Sequence, residues 1–147
     1  MGDWRADLCR EAYAAFQRLD SEAAVTVYDR DCVWDVGAAS AALGQQTYRG
    51  HDGLRQLMNQ VREVFPDWHP VVEELRLRDD GALLVRAHVE ATSRDSGMPL
   101  EIPLLGQVIG FRGRAIQRVT QTEFPPPGWE GAAALAADPP GAGPPGG

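Results

Sequence analysis

The chain contains no lysine: all 14 of its basic residues are arginine. That removes the Schiff-base nucleophile, the attachment point for pyridoxal phosphate and the phosphate-loop lysine, so three kinds of chemistry are excluded at once. Cysteine is scarce too. Cys9 and Cys32 have no CxxC spacing and each falls in an apolar setting, so both are expected as buried free thiols of a reducing compartment. The three histidines, His51, His69 and His88, lack metal-ligand spacing, and neither a metal nor another cofactor is expected. No apolar run approaches the roughly 20 residues that cross a bilayer. The opening MGDWRADLCR has neither the basic nor the apolar region of an export signal. These features lead to the expectation of a soluble cytoplasmic protein with no membrane partner. Positive charge is also in short supply. The net charge is −7, and no stretch clusters arginines with aromatics, so nucleic acid is not expected as a partner.

What is present is enough for one globular domain. The 147 residues are 44% apolar, a chain able to bury roughly two thirds of its unfolded surface in a single core. Composition divides it at residue 125. Residues 1–124 form the expected domain, whereas 125–147, rich in proline, glycine and alanine, are expected as a disordered tail with Trp129 as an exposed aromatic. Within the domain, Trp4, Leu8, Ala12, Ala15, Phe16 and Leu19 recur at helical spacing. Asp20 reads as the N-cap of a short second helix through SEAAVTVY. After a strand and a loop, HDGLRQLMNQVREVFP carries an apolar stripe from Leu54 to Phe65 that Pro66 stops. Four strand-like runs follow, separated by Asp79-Asp80-Gly81, Asp95-Ser96-Gly97 and Arg112-Gly113-Arg114 at hairpin spacing. The fold class is therefore α+β, with helices on one face of a largely antiparallel sheet.

That order, with AFQRLDSEAAVTVYDRDCVWD, YRGHDGLRQLM and GRAIQRV at its landmarks, resembles the SnoaL-like family of the nuclear transport factor 2-like fold over residues 4–124. The resemblance implies a curved mixed sheet forming a cone, closed by three helices of the N-terminal half, around an apolar pocket for a small hydrophobic molecule, often in a homodimer. Relatives include ketosteroid isomerases, limonene epoxide hydrolase and polyketide cyclases, so an enzyme of cofactor-independent proton transfer is one implied function. A non-catalytic ligand-binding or dimerisation module is the other. Where a ketosteroid isomerase would carry a tyrosine, an aspartate and a second acid, this chain has Ala12, Val36 and Gln107, with Tyr13 and Asp35 each one residue away. Where limonene epoxide hydrolase would orient and activate water, it has Trp34, Val36, His88, Glu90 and Gln121.

The candidate acid–base residues are His88 and Glu90, with Glu123 further along. They stand in VRAHVEATSR, whose strict alternation puts Val85, Ala87 and Val89 on one face and Arg86, His88 and Glu90 on the other. Plain amphipathic logic sends the second face to solvent or to a partner subunit. The epoxide hydrolase comparison instead points His88 and Glu90 into the pocket, where a paired imidazole and carboxylate would serve as acid and base. The candidate substrate contacts are Tyr13, Trp34, Trp68, Leu104 and Gln121.

Overall fold

The computed structural model describes residues 3–37, 43–65, 67–92 and 96–135, with the side chains of 100–104 outside the description. Its first helix, α1, runs Trp4–Arg18. It starts where the Asp3 carboxylate accepts the Arg5 N–H at 2.8 Å, and it ends at Leu19 in the left-handed region with φ 51°. Asp20 immediately caps the next helix, accepting from the Ala23 N–H at 3.1 Å. This α2 covers only Ser21–Val25, shorter than the sequence pattern suggests. The chain turns over Thr26 and Val27, and Tyr28 already opens β1, Tyr28–Asp35. A short β2, Thr47–Arg49, pairs antiparallel with β1 and leads into α3, Gly50–Val64. Gly53 lets α3 sit close over β2, since a Cβ there would lie 3.0 Å from the Tyr48 carbonyl carbon.

The remaining strands are β3 Asp67–Leu77, β4 Leu83–Thr92, β5 Pro99–Arg112, β6 Ala115–Glu123 and a two-residue β7, Ala133–Ala134. They form one open sheet in the order β2-β1-β6-β5-β4-β3-β7. Among the described residues only the β1–β6 pairing is parallel. Register shifts interrupt the ladders at Tyr28/Val33, Val72/Glu74, Ala87/Val89 and Gly110/Phe111. Each extra residue bends its strand, and together they curl the sheet.

Helices α1 and α3 lie in the concavity. Leu54, Leu57, Met58 and Val61 of α3 are all buried in the core. At about 1.5 to 3 kcal/mol per side chain, that stripe contributes on the order of 10 kcal/mol before entropy. It packs in one cluster with Ala12 and Phe16 of α1 and with Val85, Ile109 and Val119 of the sheet.

The segment after β6 departs from the sequence expectation. Through Leu135 the chain is packed rather than loose, and Trp129 is buried, at 5% exposure, instead of standing free. It forms a strap on the convex side of the sheet. The Arg76 guanidinium lies 4.2 Å over the Trp129 ring and donates to the Trp129 carbonyl at 2.8 Å. Arg78 donates to the Pro127 carbonyl at 3.1 Å. Phe124 meets Trp129 edge to face at 5.0 Å and carries Arg86 above its own ring at 5.4 Å. Beyond the strap's centre β7 pairs with Arg76 and Leu77, and the Leu135 N–H donates to the Leu75 carbonyl at 3.0 Å. Composition missed this because the segment's own apolar content is small. Its anchoring comes from arginines and an open strand edge more than 35 residues earlier in the chain.

Candidate functional site

The concave face of the sheet and the two long helices enclose a cavity of about 200 Å³. Helix α1 contributes Cys9, Ala12, Tyr13 and Phe16, spaced i, i+3, i+4 and i+7, so one stripe of the helix faces inward. Tyr13 therefore enters the cavity beside Ala12, although it stands one residue off the position the isomerase comparison singles out. From α3 come Leu57 and Val61. The strands supply alternate residues: Trp34 from β1 with Val36 just past its end, Ala87 and Val89 from β4, Leu105, Gln107 and Ile109 from β5, Val119 and Gln121 from β6. Trp68 and Pro70 of β3, with Phe65, complete the wall, and Gln17 of α1 fixes that side by donating to the Pro70 carbonyl at 2.7 Å.

Among the described residues none of those lining the cavity is an aspartate, glutamate, histidine or arginine. Polarity is confined to a few neutral groups. Gln107 is the buried polar side chain among the described residues, at 5% exposure. Its Oε1 accepts the Tyr13 O–H at 2.8 Å. The Tyr28 hydroxyl oxygen accepts the Trp34 indole N–H at 3.0 Å. The Trp68 indole nitrogen is buried without a hydrogen-bond partner among the described residues. Burial disfavours the charged forms of the ionisable groups here. It pushes the Cys9 thiol up to about 12 and raises both the Tyr13 and Tyr28 hydroxyls above the usual tyrosine range. At neutral pH the described lining is therefore uncharged.

Of the residues singled out from the sequence, Tyr13, Trp34, Trp68 and Gln121 line this cavity. Leu104 lies on β5, its side chain outside the described residues. His88 and Glu90 are not among the described residues that line the cavity, where the epoxide hydrolase comparison points them. The alternation of β4 holds through to its end, and Ala87 and Val89 take the inward places that the apolar helices demand. On the convex face His88 is clamped between two carboxylates, with Nδ1 2.6 Å from Glu73 Oε2 and Nε2 2.9 Å from Glu90 Oε2. The second Glu73 oxygen accepts from Arg86 Nε at 3.0 Å. The bond from Glu90, with Glu73 behind it, raises the His88 pKa against a smaller opposing effect of burial. Glu123 pairs across from Leu105 and shares the inward face of β6 with Gln121, but it is exposed, at the end of the strand. Among the described residues no group of three or more His, Cys, Asp or Glu side chains is disposed to hold a metal ion. None of the described helices is long and apolar enough to cross a membrane.

Sequence reasoning weighed Gln107 only as the replacement of an acid. Its signal was a polar residue at an inward position between Leu105 and Ile109. Glu73 left no such signal, because the β-bulge at Val72/Glu74 decides where it points.

A curved α+β cone with its cavity between helices and sheet defines the nuclear transport factor 2-like fold, and solved structures share it. A nuclear transport factor 2-like protein of unknown function from Burkholderia pseudomallei superposes with a TM-score of 0.72 at 17% identity, covering 82% of this chain and 91% of that one. TerC, co-crystallised with polyporic acid, gives a TM-score of 0.73 at 19% identity over 82% and 92% of the two chains. A hypothetical protein of ketosteroid isomerase-like fold from Catenulispora acidiphila, in complex with trimethylamine, gives 0.67 at 12% identity over 78% and 82%. No curated protein matches the chain. The SnoaL-like domain model matches residues 9–124, and the chain belongs to that family.

Proposed function

We propose that this protein binds a small, largely apolar, uncharged molecule in the cavity between α1, α3 and the sheet. The observation that carries the reading is the lining itself: among the described residues it is apolar apart from a few neutral hydrogen-bonding groups and contains no aspartate, glutamate, histidine or arginine. Two of the similar structures, TerC and the Catenulispora protein, hold small molecules. The site suits a carrier or sensor better than an acid–base enzyme, because general acid–base catalysis needs a group that titrates near the working pH within reach of the substrate. Titration with N-phenylnaphthylamine, a neutral fluorescent apolar probe, should give saturable binding at one site per chain. Ala12→Phe, which places a ring in the cavity, should abolish it. Binding that survives this change would place the ligand elsewhere.

One placement favours a second reading, a cyclase or isomerase. Glu123 stands on the same face as Gln121, at the outer end of the wall. In that reading Glu123 moves the proton and Gln121 orients the substrate, while His88 and Glu90, on the opposite face, touch neither. Turnover of a cyclic ketone that disappears in Glu123→Gln and persists in His88→Ala would support it. A cytoplasmic homodimer belongs with either reading, and a light-scattering mass of two chains in solution would support the dimer.

A further inference from the structure

Among the described residues the sheet continues past β3 only with the two residues of β7, and the outer edge of β3 is closed in three different ways. Near its start Pro70 has no N–H to offer, and the Pro70 carbonyl takes the Gln17 amide at 2.7 Å. In its middle the register shift at Val72/Glu74 breaks the ladder. At its end the strap closes it: β7 pairs antiparallel with Arg76 and Leu77, and the Leu75 carbonyl accepts the Leu135 N–H at 3.0 Å. The first two closures belong to the body of the domain. The third is a segment laid over the convex face and held by two arginines of that end of β3, Arg76 on the Trp129 ring and carbonyl and Arg78 on the Pro127 carbonyl.

The strap also lies over apolar surface. Leu84 stands between the inward-facing Leu83 and Val85 and opposite Arg76 in register, so it faces the convex side, yet it is fully buried. Pro126 and Trp129 of the strap are buried as well. Gly106 makes room for the crossing, since a Cβ there would lie 2.8 Å from Pro126 Cδ. Lifting the strap therefore bares a stretch of strand edge and an apolar patch together.

We infer that the strap covers a self-association surface, and that the partner this surface fits once the strap is lifted is the same edge of a second copy of the chain. The inference is independent of what the cavity binds. β7 shows that the edge accepts an antiparallel strand, and two copies of one strand related by a twofold axis are antiparallel. The Leu75 carbonyl points outward, so the axis can run between Leu75 and its mate. That register sets Glu74 of each copy against Arg76 of the other on one face, where opposite charges attract. Within one chain the same two side chains form an ion pair at 2.9 Å, which the association would exchange between copies.

Light scattering over a concentration series tests this on the full chain, with circular dichroism to follow the fold of each variant. Wild type should keep one mass, of one chain or two, at every concentration. Trp129→Ala removes the ring beneath Arg76. Gly128→Val unseats the strap without emptying its core contacts, because Gly128 has φ 85° and a Cβ there would lie 2.7 Å from Arg78 Cδ. Both variants should rise toward about twice the wild-type mass as concentration increases. Adding Glu74→Arg, which sets arginine against arginine, should return each to the wild-type mass, and adding Arg76→Glu as well should restore the doubling. Association through unfolded chains would not follow these charge reversals. Release variants that keep the wild-type mass throughout would overturn the inference, and so would a doubled mass that Glu74→Arg leaves unmoved.

Discussion

The Tyr13 hydroxyl donates to Oε1 of Gln107 across 2.8 Å, linking α1 to the middle strand of the sheet through a bond that spans 94 residues of sequence. It is one of the few polar contacts of a largely apolar cavity wall, and the firmness with which the helix sits on the sheet is expected to depend on it.

Removing one partner should therefore cost more than an exposed hydrogen bond would. Tyr13→Phe leaves the Gln107 carbonyl without its donor, and the loss is expected at about 1 to 3 kcal/mol. Urea denaturation should show a lower midpoint with an unchanged slope. The double change Tyr13→Phe with Gln107→Leu should cost clearly less than the sum of the two singles, because no orphaned polar group remains. Additive costs would mean that the bond carries no coupling.

The convex-face cluster makes stability depend on pH. With His88 protonated, the charges of Arg86, His88, Glu73 and Glu90 balance, and the two carboxylates raise the His88 pKa above its ordinary value. A raised folded-state pKa means that the stabilisation is fully present below about pH 6.5, the unfolded value, and is lost as pH rises through the folded one. The melting temperature should decline through that window. His88→Gln should flatten the decline, and an equal slope in both proteins would remove His88 as its source.

The strap is expected to be part of the folded unit. Trp129→Ala should lower stability by about 3 kcal/mol, in the range of other buried aromatic deletions. Gly106→Ala should also destabilise, because its Cβ would meet Thr122 Oγ1 at 2.7 Å, Pro126 Cδ at 2.8 Å and the Glu123 carbonyl at 3.0 Å. A Trp129→Ala protein as stable as wild type would return this segment to the status of a tail.

Asp80 supplies an acid-side counterpart. Its two oxygens accept from Arg78 Nε and Nη2, each at 2.9 Å, and the Arg78 bonds hold its pKa down to about 2. A depressed pKa stabilises above the unfolded value, near 4, and the effect is lost as pH falls toward 2. Since Arg78 also holds the strap at Pro127, acid titration of Asp80→Asn should lack the part of the stability loss that wild type shows in that window. A matching loss in the variant would exclude this pair as its origin.

The elements with long-period patterns were legible in the sequence. The α3 stripe, the Asp20 cap and the hairpin turns all declare themselves within a dozen residues, and Cys9-Ala12-Tyr13-Phe16 shows how one helical stripe fills the cavity wall. What the sequence left open depended on distant contacts. Alternation in β4 defines two faces but not which one the helices cover. The outward placement of His88 follows from α1 and α3 burying the Val85–Val89 face. Glu73 needs the bulge, and Trp129 needs Arg76 on a strand far upstream. Such features are set by tertiary pairing, for which a local period carries no information.

The four tryptophans offer the most direct test of where the ligand goes. Trp34 and Trp68 line the cavity, Trp4 packs against Phe111 on another part of the surface, and Trp129 lies in the strap on the convex face. Their indole N–H resonances can be followed separately in a nitrogen-15 labelled sample titrated with acetophenone. Saturable shifts confined to Trp34 and Trp68, with Trp4 and Trp129 unmoved, are expected if the cavity is the binding site. Shifts at Trp129 with Trp34 and Trp68 unchanged would place binding on the convex face, beside Arg76 and Phe124, and would contradict the central claim.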